Sequence, residues 1–255
     1  LWKWAQQHLT LLGLDVGIRK RRLPPSHLLD PYDTGGDVLI AWSLLRAHQR
    51  WGDKKHLTAA TRIIFHLQRT QLRVVDGVTI LLPNKYGVGH SSPIVINPAY
   101  WVFPAFEAFS KYGKAWQRLT TSGLRILSQH QYRDAGLPSD WLEFSESSWP
   151  PAKQFDPVFS YSNYRVPLYL EWSEQTNPLS LAYLAWLKQH REPWVNVTSE
   201  EKASCPPTSG ALAVGELIQA SNNPIGIKQT VQGRSYYSDC LILLSHIAFQ
   251  ERHWL

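Results

Sequence analysis

Flat aromatic side chains are the most abundant chemical resource of this sequence: twelve tryptophans and eleven tyrosines in 255 residues. Such a ring lies well against the C–H face of a pyranose while its polar edge reaches a hydroxyl. As a population these rings favour a sugar partner over a nucleotide one. For any single tryptophan, core packing is the plainer reading. The other residue types narrow the chemistry by what they fail to form. Ten histidines are scattered with no His-Glu-x-x-His arrangement. Cys205 and Cys240 show no Cys-x-x-Cys or Cys/His metal spacing. No metal site and no cofactor are expected. The two thiols are left open, as a pair in an exported protein or as two unrelated buried groups. The sequon Asn196-Val197-Thr198 carries meaning only in a eukaryotic secretory pathway.

Charge says less. A net charge of +6 raises the question of an acidic partner. Much of the excess lies in Arg19-Lys20-Arg21-Arg22, just before Pro24-Pro25. Nucleic-acid binding calls for basic residues spread along a face with a reader motif, and none is present, so no nucleic-acid partner is expected. A solvated loop is the plainer reading of the run, and a contact with anionic polymer or lipid is the other. No stretch approaches the roughly 20 apolar residues of a membrane span. The chain has no methionine. Leu1-Trp2-Lys3-Trp4 reads as part of an amphipathic helix over residues 1–12, not as a signal peptide. The sequence is therefore expected to begin within a longer protein.

The elements that must position any site are helices. Leu57, Ala60, Ile64 and Leu67 form one apolar stripe, and Trp116, Leu119, Gly123 and Ile126 repeat the spacing. Asn177-Pro178 opens another helix with a cap and a first-turn proline, followed by Leu179, Ala182, Tyr183 and Trp186. Further helices are expected at about residues 37–50, 98–112, 163–174, 209–221 and 235–249. The run from Val38 to Leu45 is apolar nearly all round, which predicts burial on more than one side. Buried and half-buried helices in alternation are what two concentric helical layers produce. One strand pair interrupts them, residues 72–75 and 78–82 about the turn Asp76-Gly77. The fold class is all-α with a small β-hairpin insert, and one domain is expected over residues 1–255.

Three local signatures add a lineage. The first is Gly36-Asp37-Val38-Leu39-Ile40-Ala41-Trp42-Ser43-Leu44-Leu45-Arg46-Ala47, followed by Trp51. The second is Leu81-Leu82-Pro83 followed by Asn97-Pro98-Ala99-Tyr100 and Pro104. The third, and most specific, is Phe159-Ser160-Tyr161-Ser162-Asn163-Tyr164-Arg165-Val166-Pro167-Leu168-Tyr169-Leu170. Together they resemble glycoside hydrolase family 8, especially the cellulases that accompany bacterial cellulose synthesis. Leu137-Pro138-Ser139-Asp140-Trp141 and the terminal helix with Tyr236-Tyr237 extend the likeness over nearly the whole chain.

The resemblance implies an (α/α)6 barrel, a double ring of helices with an open cleft for a β-1,4-linked chain. It also implies inverting hydrolysis, in which one carboxylic acid protonates the leaving oxygen and a separate carboxylate activates water. The family's acid, a Glu in a Ser-Glu-Gly segment, is expected before the part aligned with Leu1, together with the first helix. The family pattern Ser/Thr-Asp-Gly/Ala-Asp is matched by Thr34-Gly35-Gly36-Asp37, so Gly35 stands where the first Asp would bind and distort the sugar. Asp37 keeps the second position, with a helix-capping or structural role as the plainer reading, and Asp33 is a surrogate if the loop is reshaped. The family's Ser-Tyr-Asp-Ala-x-Arg-Val carries the general base in its Asp, and here Ser162 takes that place. A serine hydroxyl is no base near neutral pH without a partner to take its proton. Asp156, Glu143 and Glu146 precede Ser160 as relocated-base candidates, with exposed loop carboxylates as the plainer reading.

No catalytic residue is assigned on this basis. Asp37, Asn97, Tyr100, Trp141, Tyr161 and Arg165 are the expected sugar-contacting or cleft-shaping residues, Arg165 either orienting whatever occupies position 162 or held in an internal ion pair or on a carbonyl. The leading expectation is a family 8-like domain that binds β-1,4-glucan or a related polysaccharide with hydrolysis reduced or absent. One alternative is an active endo-β-1,4-glucanase with a relocated base. Another is a structural subunit of a polysaccharide synthesis or export assembly, docking through the basic run. The resemblance places the protein in the periplasm or outside the cell.

Overall fold

An aspartate that starts each helix and a glycine that stops the first lay down the leading helical pair. Helix α1 spans Thr34–Trp51, capped by the Asp33 carboxylate on the Gly35 N–H at 3.1 Å. It ends at Gly52, whose φ of 72° suits glycine and whose N–H donates to the His48 carbonyl. Asp53 then caps α2, Lys54–Thr70, accepting from the Lys55 N–H at 2.8 Å. In this computed structural model, residues 33–83, 93–129, 136–189, 193–202, 205–222, 227–228 and 235–254 are described. The expected helix at residues 1–12 and the basic run at residues 19–22 lie outside them.

The remaining helices are α3 Phe103–Phe109, α4 Lys114–Gln129, α5 Arg165–Trp172, α6 Pro178–Gln189, α7 Ser209–Asn222 and α8 Tyr236–Trp254. Asp76-Gly77 makes the predicted hairpin: β1 Leu72–Val75 pairs antiparallel with β2 Val78–Leu81. Both turn residues have positive φ, 47° and 73°, as a two-residue primed turn requires. Four two-residue strands were not foreseen: β3 Val95–Ile96, β4 Leu142–Glu143, β5 Val158–Phe159 and β6 Val195–Asn196. The helix expected at residues 98–112 is broken instead. Asn97 caps a 3-10 turn at Pro98–Tyr100, α3 begins anew with Pro104 in its first turn, and a second 3-10 turn covers Ser110–Tyr112. Each proline lacks the N–H that a continuous helix would use.

Two compact units make up the chain, one of the described residues up to Gly123 with Glu143–Ser148, the other of Leu124–Leu142 with the residues from Trp149 on. In the first, α1 packs against α2 and α3, which explains the broad burial of its apolar run. Trp116 of α4 sits among Phe106 and Phe109, with ring centroids 5.6 and 5.0 Å away. Gly123 lets Trp101 approach, since a β-carbon there would lie 3.2 Å from the indole. In the second unit, α5 contacts α6, α7 and α8, and Val166, Leu168 and Leu170 are fully buried. Phe159, Tyr164, Tyr183 and Trp186 stack edge to face or tilted at about 6 Å. Trp42, Trp101, Trp116, Trp149, Trp172 and Trp186 are all core residues. Much of the tryptophan content is therefore packing, as the plainer reading had it.

Candidate functional site

Within the first unit, the sequence Thr34-Gly35-Gly36-Asp37 forms the opening turn of α1. The cap is Asp33, four residues before Asp37, which leaves Asp37 the structural alternative. One oxygen of Asp33, Oδ1, thus serves as the helix cap by accepting from the Gly35 N–H. Asp37 is buried inside the turn. The missing side chain of Gly35 is compensated from a distance in sequence: a β-carbon there would lie 2.7 Å from Cδ1 of Tyr100. The Tyr100 ring thus fills the space that a side chain at position 35 would enter. Asn97 is buried, and its Oδ1 accepts from the Ala99 N–H at 2.9 Å, which seats Tyr100 at the end of the 3-10 turn. Of the relocated-base candidates, Glu143 is buried in β4, contrary to the exposed loop expected of it. Glu146 is exposed on a tight turn at φ 48°.

Within the second unit, one carboxylate organises the third signature, and it is Asp140. The strand β5 holds it in place, because the Asp140 N–H donates to the Val158 carbonyl at 2.7 Å. Its Oδ1 accepts from the Ser160 N–H at 2.9 Å. Its Oδ2 accepts from the Ser160 hydroxyl and, at 3.1 Å, from the Ser162 hydroxyl. Ser160 then leads into the 3-10 turn Tyr161–Tyr164, which runs directly into α5. Asp140 is only 5% exposed, while Ser162 is half-buried. Burial pushes the Asp140 carboxyl above its ordinary 3.8, against the three serine hydrogen bonds and the Arg165 charge, which pull it down.

Arg165 holds the turn from the other side. Its Nε donates to the Ser162 carbonyl at 3.2 Å, and its guanidinium also hydrogen-bonds the Tyr237 phenol. Tyr237 in turn donates its hydroxyl to the Tyr161 carbonyl at 2.5 Å, and burial pushes its own pKa up to about 12. Tyr164 donates to the Pro193 carbonyl, and burial raises its pKa as well. Tyr161 is left 41% exposed, edge-on to Tyr164. Trp141 stacks face to face on Phe155, with centroids 4.3 Å apart, so Phe155 covers one indole face. Asp156 is exposed before β5. Asn163 is fully buried, and neither amide atom has a hydrogen-bond partner among the described residues. Cys205 and Cys240 are both free thiols.

The family model described as Glycosyl hydrolases family 8 matches residues 1–251. The chain belongs to glycosyl hydrolase family 8. An endoglucanase of Cellulomonas uda is 32% identical over 228 residues, which are 85% of this chain and 63% of that protein. The chain therefore spans less than two thirds of that relative's length. A family 8 endoglucanase structure from Klebsiella pneumoniae superposes with a TM-score of 0.85 at 29% identity, covering 99% of this chain and 84% of that one. A family 8 endo-β-1,4-glucanase from an Achatina fulica gut metagenomic library gives 0.85 at 30% identity, over 98% and 82%. The fold class is the expected one, the helical (α/α)6 type with a small β-hairpin insert. Among the described residues, no helix is long and apolar enough to cross a membrane.

Against the family 8 pattern, the buried carboxylate beneath position 162 that the sequence does not single out is Asp140. Leu137-Pro138-Ser139-Asp140-Trp141 was part of the resemblance, yet nothing in it tied the carboxylate to a serine 22 residues later. Its raised pKa makes a stability prediction. Between 3.8 and the folded-state value, the folded protein keeps a proton that the unfolded chain has released. Stability from this group therefore falls as pH rises through that window and is level above it. Asp140→Asn cannot ionise there, so its melting temperature should gain on the parent's as pH rises from about 4. A constant offset between the two across that range would contradict the burial of a carboxyl at this position.

Proposed function

We propose that this family 8 chain holds β-1,4-glucan and cleaves it slowly or not at all. The observation that carries the reading is Ser162, standing where the resemblance puts the catalytic base and donating its proton inward to Asp140. A hydroxyl so engaged offers water no carboxylate. In the other unit, the resemblance puts Gly35 at the place of the sugar-distorting Asp, and Tyr100 fills the space of the missing side chain. Meanwhile the frame around position 162 is kept: Tyr161 presents an exposed ring for stacking, and Arg165 fixes the Ser162 carbonyl. The endoglucanase relatives support cellulose-type glucan as the polymer. An exported location, periplasmic or extracellular, belongs to the same reading and is testable by fractionation.

The test is release of new reducing ends from a soluble β-1,4-glucan. Little or none is expected. Turnover at about 1–10³ per second, the range of ordinary enzymes, would overturn the reading.

A further inference from the structure

We propose that Asp140 draws a proton from a glycan-bound water through the Ser162 hydroxyl, so that the pair does in two steps of hydrogen bonding what one carboxylate at position 162 would do directly. The inference rests on the reading that this site holds β-1,4-glucan, and it makes hydrolysis slow instead of absent. Asp140 is only 5% exposed, whereas its hydrogen-bond partner Ser162 is half-buried and so the more accessible of the pair to such a water. The Ser162 Oγ is 3.1 Å from Asp140 Oδ2, a distance over which a proton can pass. Arg165 fixes the Ser162 main chain, and Ser160 holds Asp140 through both its N–H and its hydroxyl, so neither end of the relay needs to move.

The step balances. An O–H bond of water breaks, and its proton goes to Ser162 Oγ. The Ser162 proton goes to Asp140 Oδ2. The water oxygen bonds the anomeric carbon as its bond to the leaving group breaks, the electron pair going with the leaving group. Fluoride leaves as the anion, while a glucosyl oxygen takes its proton from solvent water, which keeps cleavage of the glycan slow. Other groups face Asp140: Arg165 from α5, Tyr164 in the turn and Tyr237 from α8. Both phenols are held protonated by burial, so Asp140 is the group expected to titrate in the acidic range. Its carboxyl, raised by burial, is a stronger proton acceptor than an exposed aspartate.

β-Cellotriosyl fluoride tests the relay alone, because fluoride leaves without a general acid. The parent protein is expected to release fluoride above the spontaneous rate, to form the α-anomer first, and to lose rate on acidification with a midpoint above 3.8. Ser162→Ala and Asp140→Asn should each lower that rate by about 10²-fold and abolish the acid limb. Cellohexaose affinity of Ser162→Ala should be unchanged. If Asp140 only braces the turn, Ser162→Ala will keep the parental rate and pH profile, and the relay is wrong. Spontaneous fluoride release from a parent that binds cellohexaose would also overturn it while leaving the binding reading intact. Failure to bind cellohexaose would remove the reading beneath. Should Asp140→Asn fail to fold, Ser162→Ala decides by itself.

Discussion

Ser162→Asp should raise hydrolysis of β-1,4-glucosyl substrates by up to about 10²-fold, the excess of a directly placed general base (about 10²–10⁴) over the roughly 10²-fold assigned to the serine relay. Position 162 is half-buried and reachable by water, so a carboxylate there would act without the serine relay. It would also stand beside Asp140, whose Oδ2 now lies 3.1 Å from the Ser162 hydroxyl. Two carboxyls at that distance share a proton, so the pair would titrate together with one value well above the ordinary range. The Arg165 charge beside them offsets part of that repulsion. The gain should survive in Ser162→Asp/Asp140→Asn, since the new carboxylate no longer needs its buried neighbour. Fluoride release from β-cellotriosyl fluoride, read with thermal melts to show that each variant folds, checks both expectations. A folded Ser162→Asp protein with the parental rate would mean that position 162 does not address the anomeric carbon.

The second large effect concerns the other departure from the family pattern. Gly35→Asp, which restores the family's residue, should destabilise the protein by about 1–3 kcal/mol through overpacking. The new β-carbon would sit 2.7 Å from Cδ1 of Tyr100, 3.1 Å from Cγ and 3.2 Å from Cε1, deep in the ring and not at a flexible tip. Leaving glycine in a helix returns roughly 0.5–1 kcal/mol. An acidic residue in the first turn adds about 0.3–1 kcal/mol more. Together these offset about 1–2 kcal/mol, so the net loss is expected between about zero and 2 kcal/mol. Tyr100→Ala removes the obstruction, so a double-mutant cycle over the two positions should show a favourable coupling of about 1–3 kcal/mol. Denaturant unfolding of the four proteins measures it. Strict additivity would mean that the Tyr100 ring swings aside without cost.

How much of this was legible in the sequence depended on the range of the contact involved. The hairpin at Asp76-Gly77 and the helix opened by Asn177-Pro178 are written in adjacent residues, and both form where expected. The stretch at residues 98–112 misled because its apolar spacing is helical while Pro98 and Pro104 remove the N–H groups that one continuous helix needs. Asp33 and Asp37 compete for one cap four residues apart, and Asp33 takes it because the helix begins at Thr34. Glu143 reads as a loop residue until the short strand at Leu142–Glu143 turns it inward. The candidate site was legible as a set of departures, Gly35 and Ser162, but not as what answers them. Tyr100 over Gly35 and Asp140 under Ser162 are contacts between distant segments. No periodicity or spacing carries that information. Only the quoted segment around Asp140 held a hint, and it named a lineage without naming a partner.

Calorimetric titration of the chain with cellohexaose tests the central claim most directly, because holding the glucan is what every later step presumes. Saturable binding at millimolar affinity or better, with a negative heat-capacity change from buried ring faces, is the predicted result. No saturable heat up to millimolar cellohexaose would contradict it, whatever the rates measured on activated substrates.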